Sequence, residues 1–215
     1  MAILRTTAVV TAAAVGTAAA ARAVGRRMRA TAGDPDQAPP LQPVKEVDVQ
    51  RYLGSWFQIA AVPAWYELQC AKDAQAEYTL RSDGTVGVRN SCITWWGSDS
   101  RITGAARPLD EGNNRLNVSF RRADAGEGYR HGGTANYVVI GVGPDYDWAV
   151  VTDDSRRSGF VLSRTPVLTD DQYDGAREAL ERSGLDAGQL RTTRQTGGAQ
   201  QRVRFSAYPS GIQLL

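Results

Sequence analysis

The amino-acid sequence predicts an all-β fold: an eight-stranded antiparallel up-and-down barrel with one C-terminal α-helix packed on its outside. Three observations lead to this prediction. From Val47 to about Arg164, short runs rich in β-branched and aromatic residues alternate with turn signals. After Arg164 the apolar residues change to helical spacing. Eight sequential strands can also remove their sheet edges by closing into a barrel.

The predicted strands are separated by alternately short and long connections. Glycine, asparagine or proline marks tight turns near residues 82–84, 110–114 and 143–145, and the longer connections follow residues 62, 92, 121 and 152. The strands themselves are predicted at 55–62, 75–80, 86–92, 102–107, 115–121, 135–142, 147–152 and 159–164.

The predicted helix follows the eighth strand. Thr169 can cap its first turn and Gly184 can end it, and the apolar residues between them recur at helical spacing. A last short strand is predicted in 189–195, and residues 196–215 are interpreted as a C-terminal tail.

Composition indicates one globular domain with flanking segments. The chain has 215 residues, 42% hydrophobic content, 22% charge and a formal net charge of +2, enough to bury one sizeable core. Its basic residues are scattered, so no nucleic-acid partner is expected. Cys70 and Cys92 are the only cysteines and His131 is the only histidine, so we expect no metal site and no cofactor.

Residues 1–32 differ from the rest of the chain. An alanine-rich apolar run follows Arg5, and the triplet Ala30-Thr31-Ala32 is a candidate cleavage site, as in a signal peptide. The arginines after the apolar run are also typical of a retained N-terminal membrane anchor. We expect export, to the cell envelope or the exterior, because a cysteine pair suits an oxidising compartment. Residues 33–45 are interpreted as a Pro-rich linker.

Five residues and four segments of the sequence form a signature. The residues are Gly54 and Trp56 at the first strand, Asp145 and Tyr146 in a late turn, and Arg164 after the eighth strand. The segments are "YLGSWFQIA", "YTLRSDGTVGVRN", "PDYDWAVV" and "FVLSRTP". Together they resemble the lipocalin family, most of all bacterial and apolipoprotein D-like lipocalins, and the resemblance spans residues 46–195. It implies that Trp56 plugs one end of the barrel beneath Arg164, and that the cavity takes an apolar small molecule.

Alternation of side chains along strands predicts the inner wall of that cavity. If Trp56 points inward, so do Gln58, Ala60 and Val62, and if Arg164 points inward, so do Leu162 and Phe160. Eight strands enclose room for side chains or for one small ligand. A filled interior therefore remains an alternative to a binding cavity.

The long connections share one end of the barrel and are predicted to surround its mouth. They carry five further aromatic residues and one arginine as candidate ligand-binding residues: Trp65, Tyr66, Trp95, Trp96, Tyr129 and Arg156. The aromatic residues form either a rim that contacts a membrane surface or a set of locally packed side chains. Arg156, with Arg157, is either a head-group ligand or part of a solvated charge pair.

Cys70 and Cys92 both fall at the predicted open end. A disulfide would tie the first long loop, with Trp65 and Tyr66, to the barrel wall. Two free thiols are the alternative.

The sequence argues against an enzyme. His131 would have to serve as the base of any catalytic triad, and the chain has no G-x-S-x-G motif. We therefore predict binding and carriage or storage of a small hydrophobic ligand, such as a fatty acid or lysophospholipid, at the cell envelope. The alternatives are a hydrolase or isomerase acting on such a lipid in the same pocket, or a filled-barrel interaction protein.

Overall fold

The computed structural model describes residues 40–123 and 128–198. The segment 1–32, most of the linker 33–45, and residues 199–215 of the tail lie outside these ranges, as do residues 124–127. The elements, in chain order, are α1 (Val49–Tyr52), β1 (Gly54–Ala61), β2 (Cys70–Leu80), β3 (Val86–Thr94), β4 (Asp99–Pro108), β5 (Arg115–Ser119), β6 (Tyr137–Val142), β7 (Trp148–Thr152), β8 (Gly159–Ser163), α2 (Asp170–Ser183) and β9 (Arg191–Thr192).

Strands β1 to β8 form a closed antiparallel barrel, as the sequence predicts. Each strand pairs with the next, and β1 closes the sheet because Phe57 lies opposite Gln75 of β2 on one side and Ser163 of β8 on the other. The barrel has no free edge among these eight strands.

The short strand β9 completes the wall at one end of the barrel. Direct pairing of β1 with β2 stops at Phe57 and Gln75, and beyond this point β1 pairs with β9 instead. The side-chain amide of Gln195 then donates to the carbonyl oxygens of Gln58 and Ala74, which joins β1 to β2 across the gap at distances of 2.8 and 2.9 Å.

Strands β3 and β4, which form the hairpin that contains Cys92, are longer than predicted. β3 continues to Thr94 and β4 begins at Asp99, so a tight turn replaces the predicted long loop. The Thr94 hydroxyl accepts from the amide of Ser98 and donates to its carbonyl, and Gly97 adopts φ 83° within the turn. Turn geometry of this kind favours glycine.

The helix α2 lies outside the barrel, as predicted. Thr169 and Gln172 form a capping box at its start, and Gly184 ends it with φ 68°. Ala176, Ala179 and Leu180 are buried against the outward-facing side chains of three strands: Val138, Ile140, Val150 and Val161. This packing covers one outer face of the barrel.

Trp56 and Arg164 close one end of the barrel. Trp56 is fully buried, and its indole N–H donates to the carbonyl oxygen of Tyr52 at 2.8 Å. The guanidinium carbon of Arg164 lies 3.8 Å from the centroid of the indole ring, a cation–π contact worth about 1 kcal/mol. Arg164 also donates to the carbonyl oxygens of Arg51, Ser55 and Tyr146.

We predict that Trp56→Ala lowers the free energy of unfolding by about 3–5 kcal/mol, because it empties the fully buried end of the barrel. Denaturant unfolding followed by circular dichroism measures the change. The matched control is Trp96→Ala, at an exposed turn, which should change it by less than about 0.5 kcal/mol. Equal stability of both variants would contradict the structural role of Trp56.

Candidate functional site at the open end of the barrel

A β-bulge in β1 changes which side chains face the interior. Gln58 lies opposite Leu162, but Ala60 lies opposite Val161 and Ala61 opposite Phe160, so one extra residue stands between the two registers. The prediction that Ala60 and Val62 face the cavity is therefore wrong. Both pack instead in the cluster of apolar residues beneath α2.

Phe160, Leu162 and Gln58 lie on the inner wall. Leu162 is buried deep in the cluster around Trp56, whereas Phe160 lies nearer the open end and is only half-buried. The structure adds Ala61 to this wall, because it pairs with Phe160.

The inner wall of the open half also contains Ile102 and Phe120, which the sequence analysis missed. Ile102 pairs with Asn90, Asn90 with Ala76, and Ala76 with the inward-facing Trp56, so all share the inner face. The ring of Phe120 lies over Gly104 on the same face. Both residues could have been predicted from the alternation of inward and outward side chains, if it had been continued from the buried centres of β3 to β5 toward the open end.

The inner wall of the open half is exposed to solvent. Ile102 is 50% exposed and Phe120 is 37% exposed, although both point toward the barrel axis. Inward-facing side chains of a filled barrel would be buried. This half of the barrel is therefore a concave apolar surface that is open to solvent.

Four aromatic residues form the rim of the open end. Trp65 is 82% exposed and Trp96 is 69% exposed, and Tyr66 and Trp95 are exposed as well. The indole N–H of Trp95 donates to the carbonyl oxygen of Leu68 at 2.9 Å, which attaches the β3–β4 turn to the β1–β2 loop. The structure thus brings Trp65, Tyr66, Trp95 and Trp96 to one end of the barrel.

The predicted position of Tyr129 at the mouth is wrong. Its hydroxyl points to the hydroxyl of Thr103 on the outer wall, and the guanidinium carbons of Arg81 and Arg122 lie 5.8 and 5.1 Å from its ring centroid. Tyr129 also forms a β-bridge with Arg122. The bridge and the contact with Thr103 place Tyr129 over the outside of β4.

The predicted position of Arg156 as a head-group ligand is also wrong. Its Nε donates to the carbonyl oxygen of Ser183 at 2.6 Å, at the last residue of α2. The final carbonyls of a helix lack backbone partners and attract cations. The side chain of Arg156 therefore hydrogen-bonds to the C-terminal end of α2 instead of lining the mouth.

Carboxyl and amide groups supply the polarity of the mouth. Burial raises the pKa of Glu67, and a hydrogen bond with Gln58 partly offsets the rise. Burial, followed by the charges of Glu67 and Asp153, raises the pKa of the Tyr66 hydroxyl. Asn90 adds a buried side-chain oxygen that lacks a hydrogen-bond donor among the described residues. These groups surround an otherwise apolar opening.

Three tyrosines lie below the open half. The hydroxyl of Tyr137 hydrogen-bonds to those of Tyr52 and Tyr78 at 2.9 and 3.0 Å. Burial raises the pKa of Tyr78 to about 12, against the opposing effects of the Tyr137 hydrogen bond and the Arg164 charge. A small apolar cavity of about 30 Å³ adjoins all three rings.

A larger cleft of about 290 Å³ lies on the outer face of β1 to β4. Its lining is mostly polar or charged and includes Asp73, Gln75, Asp99 and Arg101. This cleft does not suit an apolar ligand. Within residues 40–123 and 128–198, no group of three or more His, Cys, Asp or Glu side chains could hold a metal ion. The same residues include no helix that is long and apolar enough to cross a membrane.

Cys70 and Cys92 form a disulfide, as predicted, with 5.6 Å between their Cα atoms. The predicted location of Cys70 in a loop is wrong, because Cys70 begins β2 and pairs with Thr94. The bond therefore joins two neighbouring strands at the open end. The turn that carries Trp65 and Tyr66 ends three residues before it.

A closed eight-stranded barrel with one plugged end and one open, apolar end is the architecture of a small-ligand-binding β-barrel protein. The chain belongs to the lipocalin family, because the family model described as a lipocalin-like domain matches residues 47–195. Members of this family bind small hydrophobic ligands and are generally binding or carrier proteins.

Characterised relatives cover most of the chain. Temperature-induced lipocalin-1 of Arabidopsis thaliana is 30% identical over 73% of this chain and 83% of its own length. Outer membrane lipoprotein Blc of Escherichia coli K12 is 30% identical over 72% and 82%. Apolipoprotein D of Mus musculus is 27% identical over 73% and 82%.

Solved structures share the fold at lower identity. Insecticyanin of the tobacco hornworm Manduca sexta superposes with a TM-score of 0.56 at 19% identity, covering 73% of this chain and 85% of its own. Apocrustacyanin C1 has a TM-score of 0.56 at 16% identity, covering 76% and 91%.

We predict that reduction of the Cys70–Cys92 disulfide lowers the melting temperature. The bond closes a loop of 22 residues, and loop-closure entropy alone stabilises such a fold by roughly 3 kcal/mol. Thermal unfolding with and without reductant measures the effect, and the double variant Cys70→Ser/Cys92→Ser should show no further response to reductant. Alkylation of both cysteines without reductant, in protein from its native host, would show that the bond is absent there.

Proposed function

We propose that this protein binds, and carries or stores, a single-chain lipid such as a fatty acid or lysophospholipid in the open half of its barrel. One observation supports the proposal most directly: Ile102 and Phe120 face the barrel axis and yet are exposed to solvent. A bound acyl chain would cover both side chains. Removing apolar surface from water contributes about 25 cal/mol per Å².

Charge at the mouth favours one of the two lipid classes. Glu67 and Asp153 both lie close enough to Tyr66 to act on its pKa, and a carboxylate head group would be repelled by them. The cationic group of a zwitterionic lysophospholipid would instead be attracted. A lysophospholipid therefore suits the mouth better than a free fatty acid does.

We also propose that the protein works at the cell envelope or outside the cell. A disulfide between Cys70 and Cys92 persists in oxidising compartments. The apolar segment before the linker has the composition of an export signal or an N-terminal anchor. Relatives include a protein named as an outer membrane lipoprotein.

We predict that Phe160→Asp weakens lipid binding by several kcal/mol, because it places an unpaired carboxylate against the acyl chain. Titration with a fluorescent fatty acid or lysophospholipid measures the affinity. The matched control is Leu80→Asp, since Leu80 is exposed at the end of β2 near the plugged end of the barrel. Unchanged affinity of a folded Phe160→Asp variant would contradict binding inside the barrel.

The aromatic rim is proposed as a surface that contacts a membrane while the lipid transfers. Trp65 and Trp96 are large exposed side chains with apolar bodies, and both stand beside the opening. Indole rings of this kind favour the interface between water and lipid. Contact at the rim would bring the opening directly onto the membrane surface.

The double variant Trp65→Ser/Trp96→Ser should bind phospholipid vesicles about tenfold more weakly than the unmodified protein, because two interfacial indoles are lost. Co-sedimentation with vesicles of zwitterionic phospholipid measures this binding. Leu80→Ser removes an exposed apolar side chain from the opposite end and should bind normally. Equal binding of all three proteins would exclude the rim as the contact surface.

A further inference from the structure

We propose that Tyr52, Tyr78 and Tyr137 form a polar floor that hydrogen-bonds to an uncharged oxygen at the end of the lipid that enters first. This inference rests on the proposed function, since it requires a lipid in the barrel. It specifies the ligand as a chain whose buried end carries a hydroxyl or carbonyl group.

The hydrogen-bond count of the three tyrosines leaves a donor available. Three hydroxyl groups bring three protons, but they share only the two bonds that Tyr137 makes with Tyr52 and Tyr78. Among the described residues, these three oxygens have no other hydrogen-bond partner. One proton and several lone pairs thus remain for a ligand, and a buried hydroxyl group without a partner is costly.

The central hydroxyl belongs to the tyrosine that faces the open half. Tyr137 pairs with Leu116 and precedes the buried Val139 by two residues on the inner face of β6. Tyr52 and Tyr78 are buried, whereas Tyr137 keeps part of its side chain exposed. A chain that enters from the mouth would therefore meet Tyr137 first.

Electrostatics at the floor favour an uncharged group. Burial raises the pKa of Tyr78 to about 12 and those of Tyr52 and Tyr137 well above their ordinary value, so all three hydroxyls stay protonated at neutral pH. The surrounding side chains are apolar: Val88, Leu116, Val118 and Val139. The nearby Arg164 already donates to three backbone carbonyls of its own surroundings.

A carboxylate at the floor would lack a counterion and would be costly to bury. A hydroxyl or carbonyl oxygen can accept the remaining tyrosine proton without that cost. The floor therefore discriminates between lipids by the chemistry of their far end, while the mouth contacts the head group.

Two lipids with the same head group test this inference. Hexadecanoate and its ω-hydroxy derivative differ only at the far end of the chain, so Glu67 and Asp153 affect both equally. Their affinities are measured by displacement of a fluorescent lipid. The unmodified protein should bind the ω-hydroxy lipid at least as tightly as hexadecanoate, although its hydroxyl group must leave water.

Variants of the floor should reverse this preference. In Tyr137→Phe the affinity for the ω-hydroxy lipid should fall about fivefold to tenfold relative to hexadecanoate, which is the effect of one lost hydrogen bond. Tyr137→Met removes the same hydroxyl with a flexible apolar side chain and serves if Tyr137→Phe does not fold. Tyr129→Phe is the matched control on the outer wall and should leave the ratio unchanged.

The outcomes separate this inference from the proposed function. If the unmodified protein binds hexadecanoate but clearly disfavours the ω-hydroxy lipid, the polar floor is wrong and lipid binding stands. If the preference exists but survives in both floor variants, the tyrosines are not its source and the inference is overturned. If the unmodified protein binds neither of these two lipids nor a lysophosphatidylcholine, the proposed function itself is wrong.

Discussion

The contact of Arg164 with Trp56 is the interaction on which the rest of the structure depends. It stacks a cation on the one indole that is fully buried, and it joins the end of β8 to the start of β1, the strand that closes the barrel. The same guanidinium donates hydrogen bonds to three backbone carbonyl oxygens: one before β1, one within β1 and one in the β6–β7 turn. One side chain thereby holds three separate parts of the chain together at the plugged end.

Because the plugged end supplies this stability, the open end can leave apolar side chains uncovered. Phe120 and Ile102 line the inner wall without being buried, and the rim carries exposed tryptophans. A fold of this size normally buries such residues. The division between a packed half and an open half explains why signature residues of the family lie at one end and candidate ligand-binding residues at the other.

Much of the fold could be predicted because it follows from local chemistry. The helix α2 begins and ends where Thr169 and Gly184 indicate, and the turns at the plugged end contain the residues that tight reversals need. The start of β2 was missed because Asp73 adopts φ 56° and interrupts the alternation of the strand. No local sequence pattern predicts such an irregularity.

The candidate site was harder to predict because it depends on contacts between distant segments. The bulge in β1 is visible only in its pairing with β8, and it reverses the side on which Ala60 lies. Tyr129 lies on the outer wall through its contact with Thr103, which is 26 residues away. Alternation along a single strand predicts facing only while the register with neighbouring strands is unbroken.

The bridge that Gln195 makes between β1 and β2 has a consequence for biosynthesis. Residues 191–195 are among the last of the domain to be made. Without them, the described part of the chain shows no backbone pairing between β1 and β2 beyond Phe57 and Gln75. While this segment is still inside the ribosome, the parts of β1 and β2 beside the mouth stay unjoined, even if every other strand has paired. The wall of the nascent barrel is therefore complete only after residues 191–195 have left the ribosome and paired with β1.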